Sequence, residues 1–293
     1  MAVNIPRVGV LSPGEMGSAI GRVLRDNGAN IYTCVKGRSD LTIMRAGEAG
    51  FRELPSYDQL VAETDLLLSV LVPAEAETVA EQIANILRRT RRRLAYADCN
   101  AISPQTAAGI ARLIEEAGSV FIDASIIGPA PRSGAHTRIY CSGPNCTALE
   151  ALQEHGLDVR VLGPSVGQAS GLKMVYAAST KGTTALWTEL LVAARALGLE
   201  EALVYEFSLG RSDVADRLMA QIPSMPRRSR RWIGEMEEIA ATFEDLGLTP
   251  LMLRGAADIF RLVGRTDLAD QTSRQPDPAL EQVLDVLAEH LRE

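Results

Sequence analysis

Short β-branched runs alternate with longer segments of helical period through the first half of the chain. RVGVLS (7–12), NIYTCVK (30–36), TDLLLSVLV (64–72), RRLAYAD (92–98) and SVFIDASI (119–126) read as strands, and 15–27, 40–49, 74–90 and 103–117 read as helices between them. Strands that alternate with helices predict βαβ units around a parallel sheet covered on both faces. TRIYCSG (137–143) and DVRVLG (158–163) add two strands with a helix between them. After Gly163 the strand signals stop, and 168–293 reads as helices punctuated by LGLE, QIPSMP and LGLTP, the first running from about 168 to 197. The expected architecture is an α/β Rossmann-type doubly wound domain over 1–163, followed by an all-α domain over 164–293. TSRQPDP (272–278) is the most loop-like stretch, before a last amphipathic helix.

Composition adds boundaries rather than detail. At 293 residues, 46% hydrophobic and 23% charged, the chain can bury a core, and its net charge of −7 gives no general pull toward nucleic acid or anionic membrane. RRTRRR (88–93) ends a predicted helix, where cations complement the helix dipole, and RRSRR (227–231) reads as a charged helix start. Cys34, Cys99, Cys141 and Cys146 have no CxxC spacing, and the three histidines no metal-like spacing, so reduced thiols and no metal are expected. No secretory leader pattern and no long apolar run is present, which predicts a cytoplasmic protein.

The first chemical signal is VGVLSPGEMGSAIG, a strand, a tight turn and a helix start. The dinucleotide fingerprint G-x-G-x-x-G appears as Ser12-Pro13-Gly14-Glu15-Met16-Gly17, with serine in place of the first glycine. The second glycine lets backbone approach a pyrophosphate and the third lets the helix pack on the strand. Phosphate would then sit at the helix N-terminus. An NAD site calls for an acidic residue at the end of the second strand. IYTCVKGRSD offers Lys36, Arg38 and Ser39 instead, which suit a ribose 2′-phosphate and favour NADP over NAD.

Of the 30 basic residues only Lys36, Lys173 and Lys181 are lysines. Arginine stays protonated at any useful pH, whereas a desolvated lysine can exchange a proton, so a chain written in arginine has a reason to keep lysine where a proton moves. On an ideal helix Lys173, Tyr176, Thr180 and Thr184 share one stripe, expected to face substrate. Lys181 falls off that stripe, either at its rim or on the surface.

Together these residues resemble the superfamily of β-hydroxyacid and 6-phosphogluconate dehydrogenases. SPGEMG matches its glycine-rich turn, GRS its turn after the second strand, Val72-Pro73 its Leu-Pro after the fourth, and DCNAISP its Asp-x-Ser-Thr-x-x-Pro segment. GPSVGQASGLKMVYAA is similar to its lysine-bearing stretch, and LKMVYAASTKGTTAL with RRWIGEMEEIA looks most like the phosphogluconate-dehydrogenase-like branch with a C-terminal domain of unknown function.

The resemblance implies hydride transfer between a nicotinamide and a small hydroxyacid-like substrate. Lys173 would be the acid–base, Tyr176 and Asn100 would hydrogen-bond the reacting oxygen, and Leu71 and Val72 would contact cofactor. Substrate contacts would come from Ser125, Ile127, Gly128, Thr180 and Trp232, with a homodimer through the helical domain. Three positions depart from the pattern: Ile127-Gly128-Pro129 replaces the Ser-Gly-Gly loop that holds the substrate carboxylate, Ala177 stands where asparagine is usual, and Gly234 and Glu235 stand near the later Lys-Asp pair. The competing readings are an imine reductase and a catalytically silent NADP(H)-binding sensor or assembly protein.

Overall fold

A computed structural model describes residues 6–131, 136–210, 212–272 and 275–291. The chain divides into two compact units, Met1–Met174 and Val175–Glu293. The first holds strands β1 (Arg7–Leu11), β2 (Asn30–Thr33), β3 (Arg52–Glu53), β4 (Leu66–Ser69), β5 (Ala95–Asp98), β6 (Val120–Ile127), β7 (Arg138–Ser142) and β8 (Asp158–Gly163). Its helices are α1 (Glu15–Asp26), α2 (Asp40–Ala49), α3 (Tyr57–Glu63), α4 (Ala76–Thr90), α5 (Pro104–Glu116), α6 (Thr147–Glu150) and the start of α7 (Gln168–Ala177).

The strands form one sheet in the order β3-β2-β1-β4-β5-β6-β7-β8, parallel throughout except for the antiparallel pair β6–β7. The apolar runs are continuous because both faces are covered. Leu66 and Leu68 join Val8, Val10, Ile20 and Leu24 on one face, while Leu67 joins Leu11, Tyr96, Phe121, Ile83 and Ile110 on the other. Ser39, Ser56 and Ser103 cap α2, α3 and α5 by accepting from the amides of Thr42, Gln59 and Thr106. The two-residue β3 and the short α3 fall between the elements that periodicity shows, because neither is long enough to display a period.

The sequence places the domain boundary at 163/164, whereas the compact units part after Met174. Asp123, buried in β6, explains the difference. Its Oδ2 accepts from the amides of Gly167, Ala169 and Ser170 at 2.8, 3.0 and 3.1 Å and from Ser142 Oγ at 2.9 Å, and its Oδ1 accepts from Ser170 Oγ. A carboxylate on the first amides of a helix satisfies donors that have no intrahelical partner. The start of α7 is thereby tied to the sheet.

The second unit is helical as expected: α8 (Thr183–Leu197), α9 (Glu200–Gly210), α10 (Ser212–Met219), α11 (Pro226–Asp245), α12 (Leu251–Gly264) and α13 (Leu280–His290). Met236, Ile239 and Ala240 of α11 are buried, as are Leu253, Ala257, Phe260 and Val263 of α12. The expected long helix over 168–197 is present as α7, a π turn at Ala178–Gly182, and α8. The π turn breaks the expected stripe. It inserts a wider turn after Ala177, so Thr180 is exposed while Thr184 is 3% exposed. Of the loop-like stretch 272–278, Ser273 and Arg274 lie outside the described residues.

Candidate active site

The strand order reverses between β1 and β4: the chain leaves β1 toward β2 and β3, then returns to β4 on the other side. In open α/β sheets the crevice beyond the carboxyl ends of two such strands is where ligands sit. The turn after β1 fills one wall. Ser12 has φ of 64°, a left-handed conformation that is uncommon outside glycine. The serine thus adopts the backbone that the missing first glycine would supply. Gly14 donates to Ser12 O at 2.8 Å, and Ser18 Oγ donates to Gly14 O at 2.6 Å, closing the turn.

A Cβ built on Gly14 meets nothing within 4 Å, whereas one on Gly17 would lie 2.9 Å from Ser12 O and 3.1 Å from Val10 Cγ1. One glycine keeps space open beside the backbone and the other keeps α1 against β1. Those are the roles of the second and third glycines of the dinucleotide fingerprint. No side chain caps the start of α1, so its first amides lack the usual hydroxyl or carboxylate acceptor. Pro13 is buried, Met16 half-buried, and Glu15 is exposed on the first turn.

The ends of β4 and β5 form the next wall. Asn100, 2% exposed, accepts at Oδ1 from Leu71 N at 2.5 Å and donates from Nδ2 to Ser69 Oγ at 2.9 Å. The carboxamide expected to reach the reacting oxygen is therefore spent largely on fixing the backbone of Leu71. Val72, next along, is exposed. Asn100 N donates to Asp98 Oδ1 at 3.0 Å, while Asp98 Oδ2 is buried with no hydrogen-bond partner. Burial pushes the Asp98 carboxyl up to about 7; the Asp123 charge on the neighbouring strand adds to this, and the bonds from Asn100 oppose it.

Beyond β2, a cleft of about 590 Å³ is lined by Lys36, Gly37, Arg38, Tyr57 and Gln82 among others. Lys36 is exposed, and Ser39, also exposed, is engaged as the cap of α2. Arg38 Nη2 donates to the Tyr57 hydroxyl at 3.0 Å. Asp58, on the same wall, is paired with Arg89, so its charge is compensated.

Lys173 is half-buried on α7, and its Nζ donates to Ile126 O, at the C-terminal end of β6, at 2.5 Å. Ser125 is fully buried and its hydroxyl donates to Ala169 O at 2.7 Å, so the predicted substrate contact instead binds the start of α7. Ile127 is likewise buried. Gly128, with φ of 118°, is exposed, and a Cβ there would strike the His136 carbonyl oxygen.

The remaining predicted residues belong to the helical unit. Tyr176 is 46% exposed. Thr180 turns its hydroxyl back to Tyr176 O and Ala177 O. Trp232 packs edge-on against Phe260 at 5.2 Å, with Lys181 Nζ and Arg228 Cζ over its ring at 5.8 and 5.9 Å. Lys181 is not a surface charge: it forms a 2.7 Å ion pair with Glu235, the two side chains being 12% and 9% exposed. Arg231 adds a second cation to Glu235 at 3.1 Å.

Sequence reasoning missed Asp98 and Asp123 as organising groups. An aspartate inside an apolar strand was the available signal, because a buried carboxyl must be partnered or neutralised. All four cysteines are buried free thiols, with burial raising the Cys99 thiol well above its usual value. Among the described residues no cluster of three or more potential metal ligands occurs, and no helix is long and apolar enough to cross a membrane.

Comparison with known proteins agrees with this geometry. An uncharacterized 28.5 kDa protein of Methanothermus fervidus, from the 7S RNA 5′ region, is 31% identical over 257 residues, 87% of this chain and 98% of that protein. The solved structure of the conserved protein MTH1747, of unknown function and described as similar to 3-hydroxyacid dehydrogenases, shares 31% identity. It has a TM-score of 0.67 over 91% of this chain and 100% of that one. Mycobacterium tuberculosis 3-hydroxyisobutyrate dehydrogenase shares the fold, with a TM-score of 0.69 at 18% identity, over 97% of this chain and 99% of that one. Residues 194–263 match a C-terminal domain of unknown function, DUF1932. Because residues 7–159, more than half the chain, match the NAD-binding domain of 6-phosphogluconate dehydrogenase, this chain belongs to that family of nicotinamide-dinucleotide-binding proteins.

Proposed function

We propose that the chain is an NADP-dependent oxidoreductase acting on a small hydroxy or oxo compound of hydroxyacid-like type, with Lys173 as general acid–base. The observation that carries this reading is Lys173 itself. Its Nζ is held against Ile126 O at the C-terminal end of β6, on the sheet edge that also bears the Ser12–Gly17 turn and Asn100. Bound there, the nicotinamide would supply or accept the hydride. Lys173 Nζ would take the substrate hydroxyl proton in oxidation and return it in reduction. Asn100 would keep the Leu71 amide and the end of β4 fixed beside the cofactor. Tyr176, one turn beyond Lys173 on α7, would donate to the reacting oxygen.

Lys36 and Arg38 support NADP over NAD, since both line the cleft beyond β2. Ile127-Gly128-Pro129 offers no hydroxyl to a substrate carboxylate, so short β-hydroxyacids are expected to turn over poorly beside less polar or differently anchored substrates. The proposed working form is a homodimer through the helical unit, where Leu186, Leu190, Leu197, Tyr205 and Leu209 are all at least 40% exposed. Light scattering at micromolar concentration tests that assembly.

The test of the chemistry is Lys173→Ala assayed against a panel of hydroxy and oxo acids. Turnover is expected to fall by at least about a hundredfold with NADPH binding retained. Equal turnover in the variant would remove Lys173 from the mechanism. NADPH binding with no turnover of any panel member would instead favour a silent sensor.

A further inference from the structure

We propose that Tyr57 is a positioning residue for cofactor discrimination, acting through Arg38; the inference rests on the NADP reading above. Arg38 follows β2 on a short exposed turn, and an arginine there loses side-chain freedom when it binds a phosphate. Tyr57 removes part of that loss in advance. It is the first residue of α3, half-buried and anchored by the Ser56 cap, and its hydroxyl accepts from Arg38 Nη2 at 3.0 Å. Both side chains line the cleft of about 590 Å³ that also bears Lys36.

A guanidinium has five donors in a rigid fork. One bond to the phenol holds the plane and leaves the other donors for an anion, and the phenol brings no negative charge to compete. A carboxylate at position 57 would also hold the arginine, but it would neutralise it. Of the two carboxylates on the wall of this cleft, Asp58 is paired with Arg89 and Glu75 is exposed to solvent. The pairing thus presents an oriented cation at the place where NADP and NAD differ.

The discriminating experiment measures, by calorimetry on the full-length protein, binding of NADPH, NADH, adenosine 2′,5′-bisphosphate and AMP to wild type, Tyr57→Phe, Arg38→Ala and the double variant. Tyr57→Phe keeps the ring and removes only the hydroxyl. It is expected to weaken NADPH and adenosine 2′,5′-bisphosphate about five- to tenfold, leave NADH and AMP unchanged, and have no further effect once Arg38 is alanine. Equal losses for phosphorylated and unphosphorylated ligands would make Tyr57 a structural or stacking residue and overturn the proposal. Tighter NADPH binding would overturn it too, since the phenol would then be sequestering Arg38. If Arg38→Ala leaves the NADPH to NADH ratio untouched, the NADP reading itself fails, whatever Tyr57→Phe does.

Discussion

Asp98 offers the most quantitative test of the site's physics. It is 1% exposed at the end of β5, one carboxylate oxygen has no partner, and Asp123 lies opposite it on β6 in the sheet register. Its carboxyl is displaced from 3.8 to about 7, mostly by burial. At 1.36 kcal/mol per pH unit, that displacement corresponds to about 4 kcal/mol. The folded state holds this proton across a range where the unfolded chain has lost it, so the contribution of Asp98 to stability falls as pH rises from about 4 to about 7.

Asp98→Asn is neutral, keeps the shape of the protonated acid, and its Oδ1 can still accept from Asn100 N. Paired urea titrations of wild type and variant between pH 4 and 8 single out the group, because the titrations of groups that do not interact with Asp98 cancel in the difference. The two proteins are expected to have similar stability near pH 4. The variant should gain up to about 1.4 kcal/mol per pH unit above that and level off about 4 kcal/mol ahead above pH 7. A difference that does not change with pH would refute the argument and mean that Asp98 is ionised throughout, with water or a closer donor compensating its charge.

Gly14→Ala should leave the melting temperature unchanged yet weaken dinucleotide binding at least about tenfold, because its Cβ points into open space that the pyrophosphate needs. Gly17→Ala should instead cost about 1–3 kcal/mol of stability, since its Cβ meets Ser12 O at 2.9 Å; thermal melts separate the two. Ser12→Gly should stabilise by about 1 kcal/mol by relieving the left-handed serine, with cofactor affinity retained; a loss of stability would mean that the hydroxyl matters to the turn. Lys181→Met removes the 2.7 Å cation partner of the buried Glu235 carboxylate, and should cost about 2–4 kcal/mol in chemical denaturation. An unchanged midpoint would show that the remaining partners, Arg231 among them, satisfy the carboxylate.

Much of the architecture was legible before any coordinates because it rests on local rules. Doubly covered strands must be apolar on both sides, as Leu66-Leu67-Leu68 are, and helices of three or more turns show their period, as 74–90 and 103–117 do. The fingerprint at Ser12–Gly17 and the unusual lysine at 173 were likewise visible, since each depends on residue type at a fixed spacing. Contacts between distant residues were not visible. The amide of Asn100 reads as a hydrogen-bonder for substrate until β4 is placed beside β5, when Leu71 N and Ser69 Oγ claim it. Ser125 reads as a substrate contact and Asp123 as a strand residue until the start of α7 claims both.

Lys181 shows the same limit most plainly. Helical spacing gives its direction only if the helix is regular, and the π turn at Ala178–Gly182 is not. Its partner Glu235 is 54 residues away in the chain, on a helix whose own pattern says nothing of what it faces. Periodicity records which side of an element is buried. The partner of a buried polar group depends on which elements pack together, and that is decided by the summed burial of the whole unit.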